Sequence, residues 1–464
     1  MGAVVQFKQN HQQSEVQSLR QAGYRAIDEM VEKLKDQIEG KGLEELSETI
    51  RREGQSVTGA ILEEAIKIRG AKQLSAVTYV CQECGRTLHR QPKLHERTLE
   101  TLHGGVKIER PYFYCKYCDK GYHPFDEELE LAPKRKQYDL QRAAAELFTE
   151  VPYKRASQIF ERLTGIPMSD HCLQDVAESI GQAADNVRVL PSRQQVEKLI
   201  EQESEGRVWR PVLVVAGDGA HVPTRKQAKS RSEKRGPGEW REAKGFRIYL
   251  VGQDRITQIM SWHQIANEEE FGEALKYAAT LIPGEKVRVA LLGDGSKWIW
   301  NHLKAVFPEG KEILDYYHCS EYVHKVAKMQ YGEEEYEQVL WIESVMARLN
   351  FGEVESVIWG LNRMKPSSRE AEEGIRKLID YLKENAHRID YEAFKRGGYP
   401  RGSGGIESAN KFICHVRMKR SGAWWYVING NQMLKLRCAF YNETFDEVFA
   451  RYKRLNKSYR PKSG

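Results

Sequence analysis

Residues 214–222 read VVAGDGAHV and residues 289–301 read VALLGDGSKWIWN; in each, an apolar run stops at an Asp held between two glycines. A short run of Val, Leu and Ala bounded by turn residues reads as a buried strand. A carboxylate just past such a strand lies at the sheet edge where open α/β domains bind ligands. The flanking Gly217, Gly219, Gly293 and Gly295 let the backbone turn sharply and approach closely. One Asp-Gly pair alone is an ordinary turn. Two copies, Asp218 and Asp294, on separate core strands with no tight hairpin joining them, point to a shared site.

Outward from these stretches the texture stays consistent. PVLVVAGDG, GFRIYLVGQ and ITQIMSWHQI, a helix near Glu268 to Ala279, then KVRVALLGDG and KEILDYYH give strands interleaved with helix, hence a layered α/β domain. Between Val323 and Ile389 the apolar positions recur helically, so an all-helical block follows the last strand. Five glycines then crowd residues 397–405 ahead of IESANKFICHVRMKR, which is helical again. Glu407 opens that helix with Asn410 and Lys411 on its face at i+3 and i+4. The helix dipole favours an ionised acid there, and simple helix-end electrostatics is the alternative reading. Asp218, Asp294 and Glu407, converging, would suit two Mg²⁺ (or Mn²⁺) ions ~4 Å apart.

Upstream, the first ~75 residues show helical spacing (Ile27, Met30, Val31, Leu34, Ile38) and no visible chemistry. Cys81-Gln-Glu-Cys84 and Cys115-Lys-Tyr-Cys118 follow, with a Gly104-Gly105 hairpin turn between them. Four thiolates on two such turns match the tetrahedral shell of a structural Zn²⁺ and leave no position for substrate. Cys172, Cys319, Cys414 and Cys438 lack partner spacing and read as small buried hydrophobes. From Gln137 to Val187 three helical pieces, the last two separated by Gly165-Ile166-Pro167, fit a helix-turn-helix or an ordinary small bundle.

The chain of 464 residues carries 30% charged and 40% hydrophobic residues, which excludes a mainly disordered or membrane-embedded protein. The longest clean apolar run, Pro211 to Ala216, is far below the ~20 residues of a membrane span, and the first residues lack a cleavable leader pattern. A cytoplasmic protein is expected. Nine Lys or Arg against three Glu between His221 and Arg247, and twelve against three acids from Lys411 on, contrast with fourteen acids against eight bases between Tyr331 and Glu392. Such segregation suits a polyanion partner, or a set of solvated helix faces.

The order of these features resembles DDE transposases with an RNase H-like core. Asp218 ends one strand, Asp294 another, Asp315-Tyr-Tyr-His318 closes the next, and a helical stretch precedes Glu407. The blocks EWREAKG from Glu239, GDGSKWIWN from Gly293, LDYYHCSEYV from Leu314 and GIESANKFICHVRMKRSGAWW from Gly405 resemble bacterial insertion-sequence transposases of the Kra type, which also carry upstream CxxC pairs. The resemblance spans roughly Val80 to Phe440. It implies Asp218, Asp294 and Glu407 as a catalytic, Mg²⁺-binding triad, with Asp315 and His318 supporting the site or the bound DNA. A satisfied core histidine is the alternative for His318.

DNA contacts are expected from Arg225, Lys226, Lys229, Arg231, Lys244, Lys411, Arg417, Lys419 and Trp424, the last by stacking on an unpaired base. Core packing is the alternative for at least one of Trp424 and Trp425. The implied activity is cleavage at insertion-sequence ends and joining of the 3′-hydroxyl to target DNA. The implied partners are the element's terminal repeats and the target, and at least a homodimer pairs the two ends in a nucleoid-associated complex. A catalytically inactive zinc-dependent DNA-binding protein is the alternative. A phosphatase is disfavoured, because GDGAHVPT lacks the second Asp of a DxDxT nucleophile motif.

The expected organisation is a helical region over 1–75, a four-cysteine zinc ribbon over 76–130, and a helical, helix-turn-helix-compatible region over 131–205. The RNase H-like core occupies 206–325, the helical insertion 326–395, the core completion with the Glu helix 396–442 and a basic tail 443–464.

Overall fold

Val212–Arg225 (β1) is buried without interruption from Val212 to Gly217, the signature of a strand covered on both faces. It is the middle strand of five. Gly238–Val251 (β2), Ile256–Ile265 (β3), Arg288–Gly293 (β4) and Lys311–Leu314 (β5) complete the sheet in the order β5-β4-β1-β2-β3. β1, β2 and β3 pair antiparallel, whereas β4 and β5 run parallel to β1. Parallel neighbours need crossover connections. Glu268–Thr280 (α1) leads into β4, and Lys297–Val306 (α2) joins β4 to β5. The computed structural model describes residues 2–226, 236–252 and 255–458.

After β5 the chain is helical: Tyr316–Tyr331 (α3), Glu335–Asn350 (α4), Val354–Arg363 (α5), Arg369–Asn385 (α6) and Tyr391–Arg396 (α7). Gly404–Ala409 (α8) runs into a π-helical turn, Asn410–His415, and Val427–Tyr441 (α9) packs on β3. β5 is shorter than KEILDYYH suggested. Asp315 leaves the sheet because its carboxylate accepts the His318 N–H at 2.6 Å, which makes it the N-cap of α3 rather than a strand residue.

Contacts divide the chain into two units, residues up to Ser179 with those from Phe449 on, and Ile180–Val448. The five-stranded sheet belongs to the second. In the first, the helices Gly2–Lys35 and Leu43–Arg69 form a hairpin. Leu62 and Ile66 of the latter pack on Leu99, Val106, Ile108 and Phe125. The Gly104-Gly105 turn joins His95–Thr101 to Gly104–Arg110, with Gly104 at φ +88. Helices Tyr138–Phe148, Tyr153–Thr164 and Asp170–Ala183 occupy the three expected pieces, the second ending at Gly165 in the left-handed conformation.

Asp218 pairs with Gly245, and Gly245 with His263, so the three face one another across β1, β2 and β3. A Cβ at Gly245 would come within 2.2 Å of the His263 ring. Gly245→Ala is expected to destabilise the protein by about 1 to 3 kcal/mol through overpacking, read as a lower urea midpoint; an unchanged midpoint would contradict the register.

Candidate active site and metal centre

The ladder explains why the acids meet. Ala216 on β1 pairs with Leu292 on β4, and two residues further along each strand stand Asp218 and Asp294. Gly293 pairs with Leu314 on β5, which sets Asp315 beside Asp294, its N–H bonded to the Gly293 carbonyl at 2.9 Å. Asp294 and Asp315 thus stand one residue past the ends of β4 and β5, whereas Asp218, expected at a strand end, lies midway along β1, which runs on to Arg225 because β2 stays paired with it that far. Helix α8 lies on β1 and β2 and carries Glu407 in its first turn. Its approach needs Gly405, whose Cβ would meet the Tyr249 ring at 2.6 Å. The buried Arg247 guanidinium donates to the Gly405 carbonyl and, at 2.6 Å, to Gln258.

Each acid is held differently. Asp218 accepts from the Asn410 side-chain amide at 2.6 Å and from the Gly219 N–H at 2.7 Å. Burial pushes its pKa up to about 6; Asp294 and Glu407 add to the rise, while the Gly219 N–H and His318 oppose it. Asp294 accepts from the N–H and hydroxyl of Ser296 at 2.8 and 3.1 Å, and the Tyr381 hydroxyl reaches its carbonyl at 3.2 Å. The Ser403 hydroxyl donates to Glu407 at 2.7 Å. Asp315, wholly buried, accepts from the Ser403 N–H as well as from His318, and so ties the glycine-rich loop to the start of α3. The His318 side chain is 36% exposed and bears electrostatically on Asp218, so it is not a core histidine.

A raised carboxylate pKa has a thermodynamic consequence of definite sign. The folded chain binds the Asp218 proton more tightly than the unfolded chain does, so ionising Asp218 costs stability as pH climbs from about 4 through 6. In chelator, Asp218→Asn is expected to raise stability by up to ~3 kcal/mol near pH 8, and the gain vanishes below pH ~4, where the acid is neutral in both states. Urea titrations at the two pH values measure it; a loss of stability at pH 8 would contradict the burial of charge.

Among the described residues, Cys81, Cys84, Cys115 and Cys118 are the only group of three or more potential ligands whose donor atoms all lie within 4.8 Å of one another. The Cys81–Cys118 and Cys84–Cys115 sulfurs lie 4.0 and 3.7 Å apart, against ~3.8 Å for the edge of a tetrahedron with ~2.3 Å Zn–S bonds. The strand pairs Thr78–Val80 with Thr87–His89 and Phe113–Cys115 with Lys120–Tyr122 present the two CxxC turns. After each second cysteine the backbone is left-handed, at Gly85 (φ 72) and Asp119 (φ 50). Tyr122 hydrogen-bonds Cys81 at 3.2 Å and holds its thiol at about 6, whereas burial and the neighbouring thiols push Cys118 up to about 12. This buried four-cysteine cluster could hold a metal such as zinc.

The expected DNA-contacting side chains separate into three groups. Lys226, Lys411 and Lys419 are exposed, and Trp424 is 38% exposed. Arg225, at the end of β1, stands 5.7 Å over the Trp424 ring. Lys229 and Arg231 lie outside the described residues. Lys244 and Arg417 are corrected: both are buried, Lys244 paired with Glu242 at 2.5 Å and set over Trp298, Arg417 against Trp425. Neither offers its charge to a phosphate. Trp425 is the core tryptophan, donating to the Met418 carbonyl.

Sequence reading missed Trp240, which is 58% exposed and edge-on to Trp424 at 6.4 Å. It also missed His263, whose Nε2 lies 2.9 Å from Asn410. Lys411 does not share the Asn410 face: the π turn buries Asn410 and exposes its neighbour. No helix among the described residues is long and apolar enough to cross a membrane.

Comparison with known proteins gives a family. A UPF0236 protein of Streptococcus gallolyticus, encoded in the vanSb 3′ region, is 24% identical over 365 residues, covering 77% of this chain and 75% of its own. A chain of the Drosophila P element transposase strand transfer complex aligns over 70% of this chain and 81% of its own at 11% identity and a TM-score of 0.24, too slight a likeness to carry any inference. The family described as "Uncharacterised protein family (UPF0236)" matches residues 36–450. With nearly the whole length matched, the chain belongs to the UPF0236 family.

Proposed function

We propose that this protein is a DNA transposase of the DDE type, built on an RNase H-like core, with Asp218, Asp294 and Glu407 as its metal-binding triad. The observation that carries the reading is the row of Asp218 within β1 and Asp294 just past β4, with the Glu407 helix laid on β1 and β2. The sheet order supports the fold assignment, with three antiparallel strands followed by two parallel to the first. Mutually repelling carboxylates, one of them raised to about 6, suit Mg²⁺ or Mn²⁺. Held there, two such ions activate an attacking oxygen and stabilise a leaving one.

The chain's own part is positioning. Ser403 orients Glu407, Ser296 orients Asp294, and Asp315 keeps the loop that bears Ser403 against α3. The four cysteines hold a structural Zn²⁺. Lys226, Lys411 and Lys419 neutralise phosphates, and the Trp240–Trp424 pair stacks on unpaired bases. Trp424→Ala is expected to weaken single-strand binding about tenfold, since one base–aromatic stack is worth ~1 to 3 kcal/mol. Polarisation titrations with a short oligonucleotide check this, and equal affinity would remove Trp424 from the path. The active assembly is at least a dimer that pairs two ends on the nucleoid.

The test is strand transfer. Full-length protein, linear DNA bearing the two ends of the element that encodes it, and a supercoiled target in Mg²⁺ should yield joined molecules. DNA binding without cleavage of those ends would favour the catalytically inactive DNA-binding alternative.

A further inference from the structure

Residues in register point to the same face of a sheet, and Asp218, Gly245 and His263 are in register on β1, β2 and β3. Gly245 contributes no side chain, and the His263 ring occupies the space above it; a Cβ there would lie 2.2 Å from Cδ2 and 2.4 Å from Nε2. The imidazole leans across β2 toward β1. Asn410, turned inward by the π-helical turn after α8, fills the remaining gap. Its Oδ1 is 2.9 Å from His263 Nε2, and its Nδ2 donates to Asp218 Oδ2 at 2.6 Å. His263 is wholly buried and Asn410 is 5% exposed.

The proton positions follow from which groups can donate. An ionised Asp218 only accepts, so Asn410 must present its NH₂ to the carboxylate and its carbonyl to His263. The imidazole then carries its hydrogen on Nε2. His263 Nδ1 has no partner, which suits this tautomer, since a bare acceptor is better tolerated in the interior than an orphaned N–H. Burial holds the ring neutral, its pKa down at about 4.

We infer that Asn410 and His263 are positioning residues for the candidate metal site: His263 fixes the orientation of the Asn410 amide, and Asn410 fixes the Asp218 carboxylate. This rests on the proposed reading of Asp218 as a metal ligand. It assigns a role to the WHQ histidine of β3, to the glycine of EWREAKG and to the residue three after Glu407. A histidine that merely filled space in the sheet would be replaceable by any ring of similar size.

Mn²⁺ binding to the full-length chain, followed by electron paramagnetic resonance, tests it without requiring turnover. Asp218→Asn marks the site. Asn410→Ala should weaken Mn²⁺ binding by ~10 to 100-fold, the usual effect of losing a hydrogen bond to a metal ligand, and His263→Phe, which frees the Asn410 amide to turn away from Asp218, should weaken it in the same direction. His263→Gln, whose amide donates from nearly the position of Nε2, should recover most of the affinity. Thermal melts of every variant separate loss of fold from loss of position. In ¹⁵N-histidine spectra the wild type should show a neutral Nε2–H tautomer that disappears in His263→Gln. If Asp218→Asn lowers Mn²⁺ affinity while folded Asn410→Ala or folded His263→Phe binds like wild type, the relay is overturned and the metal site stands. Should Asp218→Asn bind like wild type, the metal-site reading fails and takes the relay with it.

Discussion

Cys81→Ser or Cys115→Ser is expected to release bound zinc and, sparing the hairpin of residues 95–110 with its separate core, unfold the cysteine knuckle formed by residues 78–89 and 113–122. Its two CxxC turns rest on a core of only Leu88, Phe113 and Tyr122 around the buried cysteines, with Tyr79 packed at the edge. Too little apolar surface is buried there to offset the entropy of ordering the two short strand pairs. Four thiolates on one Zn²⁺ would supply folding free energy on the order of 10 kcal/mol, the largest single effect any substitution in this chain should have. The Tyr122 hydroxyl at 3.2 Å from Cys81 favours the thiolate at one corner of the cluster. The wild type should therefore hold one zinc per chain by elemental analysis, and the serine variants should lose it and become trypsin-sensitive within this segment. Full protease resistance with no metal bound would show that the segment folds unaided.

Asp315→Ala is expected to cost about 2 to 5 kcal/mol, summing a lost N-cap with two buried N–H groups left unpaired. The carboxylate is wholly buried and receives the N–H groups of His318 and Ser403, so its removal frays the start of α3 and loosens the loop that carries Ser403. Ser403 in turn orients Glu407, so activity should fall together with the urea midpoint. Asp294→Asn separates the two effects. Asp294 sits in a turn against Ser296 outside the buried core, and its replacement should leave the midpoint nearly unchanged while removing metal-dependent chemistry. A stable but inactive Asp315→Ala would place Asp315 among the reacting groups instead.

Much of this arrangement is legible in the chain because it follows from local pattern. The twin GDG stretches mark β1 and β4 by their apolar runs, but only the second closes its strand; β1 passes through Asp218 to Arg225 because β2 stays paired with it. The CxxC spacing marks the cysteine cluster. Burial is harder to read: Lys244 and Arg417 look like surface cations in a basic region, yet Glu242 and Trp298 cover one and Trp425 the other. Asp315 reads as a strand end because its capping of α3 depends on where β5 stops. The grouping of Gly245, His263 and Asn410 about Asp218 depends on strand register and on a π-helical turn. Neither has a periodic signature, so a lone histidine in an apolar strand passes for core.

The most direct measurement is nicking of supercoiled plasmid in Mg²⁺ or Mn²⁺ by the wild-type chain beside Asp218→Asn, Asp294→Asn and Glu407→Gln. All four should bind DNA and retain zinc. Each lost acid removes several kcal/mol of metal-borne stabilisation from the transition state, so every variant should cut at least ~10³-fold more slowly than wild type. Equal nicking by all four proteins would contradict the assignment of the triad.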